Sequence, residues 1–233
     1  MKILITGAAG AVGSTLVSGL KTRYILRALD LVAITDIEDS MTGDLSDFDV
    51  ALEATKDIDA VIHLAGNPSG GAEWNDVLPN NIVATYNMFE ASRQNGVRRI
   101  AFASRAGLLG AYPKSIQRTA ELGPLPQNYY SISKVFGENI GYMYATRFGM
   151  EVVSVRIGNF KRERDHPEHP HQLSHGDCVR VFERALIHPN ISYEIVFGVS
   201  DSNWPMYDLD HGRNVLGYDP KDRSEIPPED WDM

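Results

Sequence analysis

The stretch MKILITGAAGAVGST, residues 1–15, decides the fold. Lys2 to Thr6 reads as a short apolar strand that runs straight into Gly7, Gly10 and Gly13 at three-residue spacing. Leu16, Val17 and Leu20 then recur at helical spacing. Each glycine answers a separate steric demand: Gly7 permits the tight turn off the strand, Gly10 lets a pyrophosphate approach the backbone, and Gly13 lets the helix pack closely. The first helical residues, among them Ala11 and Val12, offer free N–H groups and the positive end of the helix dipole. Strand, turn and helix together predict a site for the phosphates of a dinucleotide.

Outward from this unit the chain alternates strands with helices. Tyr24 to Leu29 reads as a second strand ending at Asp30, where a carboxylate accepts from the ribose hydroxyls of an adenosine and repels a 2′-phosphate. This predicts NAD as the cofactor, with NADP possible. Asp36 is a competing carboxylate, Arg27 a possible phosphate partner, and residues 36–39 read as a solvated acidic loop. In TGDLSD, residues 42–47, Asp44 and Leu45 are expected beside the adenine after a short third strand, and Ser46 or Asp47 as the cap of a helix running to Lys56. DAVIHLAG, residues 59–66, is a continuous apolar run, as expected of a parallel strand covered on both faces. Its end, Leu64, Ala65 and Gly66, is expected to line the cofactor cleft, and His63 reads as a structural histidine. Residues 67–78 read as a loop leading to a helix that carries Asn80, Asn81, Tyr86 and Phe89, and residues 98–105 as a fifth strand. MEVVSVRIGNF, 150–160, reads as a sixth strand; a helix from Asp177 to His188, a strand YEIVFGVSD and a short helix over 208–216 follow. The alternation predicts an α/β, doubly wound parallel sheet.

Composition limits the function classes. The chain has 233 residues, 43% hydrophobic content and a formal net charge of −9. That length suits a single domain, and the negative charge argues against non-specific nucleic-acid binding, which draws on clustered Lys and Arg. No apolar run is long enough to cross a bilayer, so the expectation is a cytoplasmic protein with a small-molecule partner and no membrane association. The one cysteine, Cys178, suits a reducing compartment. Four histidines in residues 161–175 invite a metal hypothesis, but this polar loop has no i, i+4 histidine pair fixed on a helix and no cysteine ligands at zinc-site spacing, and no metal is expected.

Candidate chemistry lies in YYSISK. Tyr130 and Lys134 are four residues apart, so both side chains leave one helical face. The ammonium is expected to favour the phenolate, lowering the tyrosine pKa so that it trades a proton with a substrate hydroxyl. Further along the helix, Phe136, Ile140, Met143, Tyr144 and Phe148 form a wide apolar stripe, which fits core packing and a subunit interface.

Taken together, these residues resemble the extended short-chain dehydrogenase/reductases, in the NAD-dependent epimerase/dehydratase group, with a likeness to uronate and related sugar dehydrogenases. The resemblance spans almost the whole chain: GAAGAVG at 7–13, HLAG at 63–66, NNIVATYNMFEA at 80–91, FAS at 102–104, Tyr130 with Lys134, VRIGN at 155–159 and FGVSD at 197–201. It implies a Rossmann fold, with residues 161–233 contributing a small substrate-binding region. Asn81 and Ile157 are implied as cofactor neighbours, Tyr130 as the acid/base and Lys134 as a ribose ligand. A homodimer and an NAD-dependent oxidation of a sugar-derived substrate are also implied; a nucleotide-sugar epimerase or a non-catalytic dinucleotide sensor are the alternatives. One position departs from the family. Where two serines and then Asn-His usually follow the fifth strand, this chain has Ser104, Arg105, Ala106 and Gly107. Arg105 takes the place of the catalytic serine. Arginine cannot accept a hydrogen bond, so either Arg105 enters the cleft and pairs with an anionic ligand, or it turns outward and Ser104 or a water replaces the serine. Arg162 and Arg164 are near candidates for a carboxylate-binding arginine.

Overall fold

The structure is a computed structural model that describes residues 1–226. Seven parallel strands form one sheet in the order β3-β2-β1-β4-β5-β6-β7. They are β1 (Lys2–Thr6), β2 (Ile25–Asp30), β3 (Asp39–Thr42), β4 (Ala60–His63), β5 (Arg99–Arg105), β6 (Glu151–Ile157) and β7 (Tyr193–Gly198). Helices cover both faces. On one side α1 (Ala11–Leu20), α6 (His175–Ile187) and α7 (Asp210–Leu216) bury Leu16, Leu20, Phe182 and Leu216 against the sheet. On the other, α2 (Phe48–Ala54), α4 (Ala84–Gln94) and α5 (Tyr129–Phe148) bury Ala51, Phe89, Ile140 and Tyr144. The doubly wound expectation holds, and the strand order reverses between β1 and β4. That is where such sheets open a crevice beyond the carboxyl ends of their strands.

The differences from the expected elements are local. A short helix, α3 (Trp74–Val77), and a π-helical turn (Leu78–Val83) occupy the end of the expected loop and its helix start. The expected last strand stops at Gly198; Asp201–Ser202 (β8) leaves the sheet to pair with Arg223–Ser224 (β9). The acidic loop is only partly solvated. Asp39 opens β3 and receives Arg27 Nε at 2.9 Å and Lys2 Nζ at 2.9 Å, and its carboxyl is held below the usual range, the arginine and lysine bonds outweighing burial. Asp47, not Ser46, caps α2, accepting from Asp49 N at 3.0 Å. Asn128 caps α5 in the same way, through Ser131 N at 2.8 Å, which fixes where that helix begins and so where Tyr130 stands. No helix among the described residues is long and apolar enough to cross a membrane.

Candidate active site

A cleft of about 1050 Å³ lies over the switch point. Its floor at one end is the glycine turn. Gly7 has φ +66°, and a Cβ there would stand 2.8 Å from Ala65 N; a Cβ on Gly13 would meet the Gly7 carbonyl and lie 2.7 Å from Ala8 Cα. Both glycines let α1 and the end of β4 close upon the turn. Gly10 differs: a Cβ there meets only the Gly7 carbonyl, at 3.1 Å. Its open side belongs to the cleft, so the space a side chain would fill is left for a ligand. Ala11 and Val12 continue that lining with the unpaired N–H groups of a helix start. The turn therefore fits a dinucleotide pyrophosphate.

Asp30 lines the cleft at the end of β2. Its two oxygens accept from Ala9 N at 2.9 Å and Leu31 N at 2.7 Å, tying β2 to the turn. A carboxylate has about four acceptor sites, so each oxygen keeps one for a ribose hydroxyl. Asp36 is exposed and lies outside the cleft, and Arg27 is spent on Asp39 and on the carbonyls of Glu53, Ala54 and Lys56. Asp44, Leu45, Leu64, Ala65, Gly66 and Ile157 all line the cleft, as expected. Asn81 does not. It is buried behind the wall, bonded to Asn67 N at 2.8 Å, Asn67 O at 3.1 Å and Ser133 Oγ at 3.2 Å. Its amide is fully used in fixing the loop after β4, so it shapes the wall without facing a ligand.

His63 is structural, as expected. Thr6 Oγ1 accepts from Leu64 N and Ala65 N, both at 3.2 Å, so its own proton goes to His63 Nδ1 at 2.8 Å. The ring then donates from Nε2 to Thr85 Oγ1 at 3.2 Å. Burial, helped by the charge of Lys134, pushes this imidazole down to about 3, so it is neutral at physiological pH.

At the other end of the cleft stand Tyr130, Lys134 and Arg105. Lys134 Nζ lies 5.5 Å from the Tyr130 ring centre and 5.1 Å from that of Phe102. Arg105 turns into the cleft, its Cζ 5.2 Å from the Tyr130 ring centre and its Nη1 3.2 Å from Ser131 Oγ. The expected lowering of the tyrosine is overturned. Burial dominates and raises Tyr130 above 10.0, and the opposing charge is that of Arg105. Lys134 is brought down to about 8, by burial first and Arg105 second.

Ser104 lines the cleft, but its hydroxyl is engaged beneath it. Strand alternation turns it away from Arg105, and its Oγ donates to Glu138 Oε1 at 2.6 Å. Glu138, one helical turn beyond Lys134, also receives Arg156 Nε at 2.8 Å and Nη2 at 2.9 Å. Arg156 and Ser104 are register partners on β6 and β5. A buried ion pair therefore locks α5 to both strands beneath the reactive residues. The four loop histidines do not converge either: His169 stacks on His171, and His175 stacks on Phe160. Among the described residues no group of His, Cys, Asp or Glu is arranged to hold a metal.

Residues 3–181 match the model of the NAD-dependent epimerase/dehydratase family. The chain belongs to that family. Relatives agree over nearly the full length. An NAD-dependent glucose-6-phosphate dehydrogenase of Haloferax volcanii is 37% identical, over 95% of this chain and 94% of its own. A uronate dehydrogenase of Pseudomonas syringae is 34% identical, over 97% and 83%. Among solved structures, a mutant uronate dehydrogenase from Agrobacterium tumefaciens complexed with NAD superposes with a TM-score of 0.88 at 30% identity, covering 97% of this chain and 91% of that one.

The Arg105 guanidinium lies over Gly107, where a Cβ would stand 2.8 Å from Arg105 Nε and 2.9 Å from its Cζ. Arg164 pairs with Glu168, and Arg162 donates to the Ala9 carbonyl of the glycine turn at 2.7 Å, so neither reaches the reacting end. Asn159, Phe160, His171 and Tyr207 line the cleft where sequence reasoning named no residue. Their signal was absent because they arrive on loops. Glu138 was findable: an arginine in the apolar strand VVSVRIG demands a buried carboxylate.

Proposed function

We propose that the protein is an NAD-dependent oxidoreductase that interconverts a hydroxyl and a carbonyl on a sugar or sugar-derived substrate. The observation that carries this reading is Tyr130 with Lys134 and Arg105 at one end of a cleft whose other end is the glycine turn and Asp30. NAD, when bound, supplies the two-electron acceptor for a hydride. In the oxidative direction the hydroxyl proton passes to the Tyr130 phenolate as the carbon gives up that hydride, leaving a carbonyl. Burial favours the neutral phenol and the Arg105 charge opposes it; protonated Lys134, 5.5 Å from the ring centre, places a second positive charge beside the developing phenolate. Lys134 would also hold the nicotinamide ribose. In the reductive direction the phenol returns the proton.

Asp30 reads the adenosine ribose and selects against a 2′-phosphate. Residues 161–233 contribute the substrate side, through His171 and Tyr207; residues 227–233 of that range lie outside the described part of the chain. A single buried cysteine suits the cytoplasm. A homodimer is supported by the outer face of α5, where Ile132, Tyr142 and Met143 are exposed. The test is NADH formation with NAD and a panel of aldoses, uronates and aldose phosphates, where at least one must turn over.

A further inference from the structure

Arg105 is half-buried, carries five N–H donors and uses one, on a neutral hydroxyl. Among the described residues it makes no ion pair, nor does Lys134, which is buried and lines the same cleft. Arg118 is outside the lining, its Nη groups spent on the carbonyls of Tyr112, Pro113 and Ile116. Two cations without an ion-pair partner thus stand together against Tyr130, in a chain whose net charge is −9.

Desolvated cations are ordinarily paired, because leaving one without an anion costs several kcal/mol. The pyrophosphate of a dinucleotide cannot be that anion, since the glycine turn places it at the opposite end of the cleft from Tyr130. The partner must arrive with the substrate.

We propose that Arg105 is a specificity residue that pairs with an oxyanion, phosphate or carboxylate, carried by the sugar. This rests on the oxidoreductase reading for the substrate's place, though not for the anion's affinity. The planar fork of Arg105 takes two oxygens of one oxyanion, and its bond to Ser131 Oγ anchors it. Neutral sugars leave the two charges uncompensated and bind more weakly.

The test uses calorimetry on the cofactor-free protein with non-oxidisable probes: glucitol 6-phosphate, gluconate and, as the neutral control, glucitol. Wild type is expected to bind one or both anions at least about tenfold tighter than glucitol, the scale of one charged hydrogen bond. Arg105→Ser should erase that margin, and Arg105→Lys should keep part of it. A margin for the phosphate alone assigns aldose phosphates, and one for the carboxylate alone assigns sugar acids. Equal binding of glucitol, no anion binding by wild type, or a margin that survives in Arg105→Ser overturns the proposal. NADH formation from neutral aldoses by a protein indifferent to anions would sink it while sparing the oxidoreductase reading. Arg105-dependent anion binding without NADH from any sugar would do the reverse.

Discussion

Lys134 should destabilise the fold that it serves. It is buried, makes no ion pair among the described residues and is close to a second cation, and its pKa falls from 10.5 to about 8. Between those values the unfolded chain holds more protons than the folded one, so stability rises with pH across that window; below pH 8 the full penalty is present. The fall corresponds to about 3 kcal/mol at pH 7. Lys134→Met keeps the length of the side chain and removes the charge. It forfeits two cation–π contacts, at 5.1 and 5.5 Å, worth about 1 kcal/mol together. The cofactor-free variant is therefore expected to be more stable than wild type at pH 7 by about 2 kcal/mol, a gain bought with turnover. Urea unfolding followed by tryptophan fluorescence at pH 7 and pH 10 measures it. The advantage should shrink to below about 1 kcal/mol at the higher pH, since both proteins share their other titrating groups. A variant less stable at pH 7, or a difference independent of pH, would refute the reasoning.

Asp30→Ala is expected to weaken NAD binding about tenfold, the loss of one charged hydrogen bond, and to narrow the preference for NAD over NADP; wild-type protein that binds NADP more tightly in calorimetry contradicts this. The exposed face of α5 predicts a dimer that Ile132→Glu and Met143→Glu together convert to monomer, and sedimentation of wild type as a monomer at micromolar concentration removes the interface.

The cofactor half of the site was legible in the sequence because its physics is local. A glycine turn between strand and helix has one steric meaning, and the residue that ends the next strand is placed by the same unit, which is why Asp30 and not Asp36 reaches the cleft. The reacting half was legible only in part. Tyr130 and Lys134 share a helix face, but the sign of the tyrosine shift depends on burial, which spacing does not report. The role of Ser104 depends on its register with Arg156 and on Glu138 from a third element, so it read as a free hydroxyl until the strands were assembled. Asn81 resembled a cofactor neighbour, yet its amide is consumed by the backbone of Asn67, a contact across a loop. The substrate wall of Asn159, His171 and Tyr207 comes from irregular segments, where neither period nor motif fixes position.

Tyr130→Phe tests the central claim most directly, because it deletes one hydroxyl and almost no packing volume. NADH formation from the best substrate should fall by at least about a hundredfold, the scale of lost acid–base catalysis. NAD affinity measured on the same preparation should change by less than about twofold, since Tyr130 stands at the far end of the cleft from the glycine turn, with no part in the pyrophosphate cradle. A Tyr130→Phe protein that makes NADH at the wild-type rate would contradict the assignment of this side chain as the acid/base, and with it the chemistry proposed for the cleft.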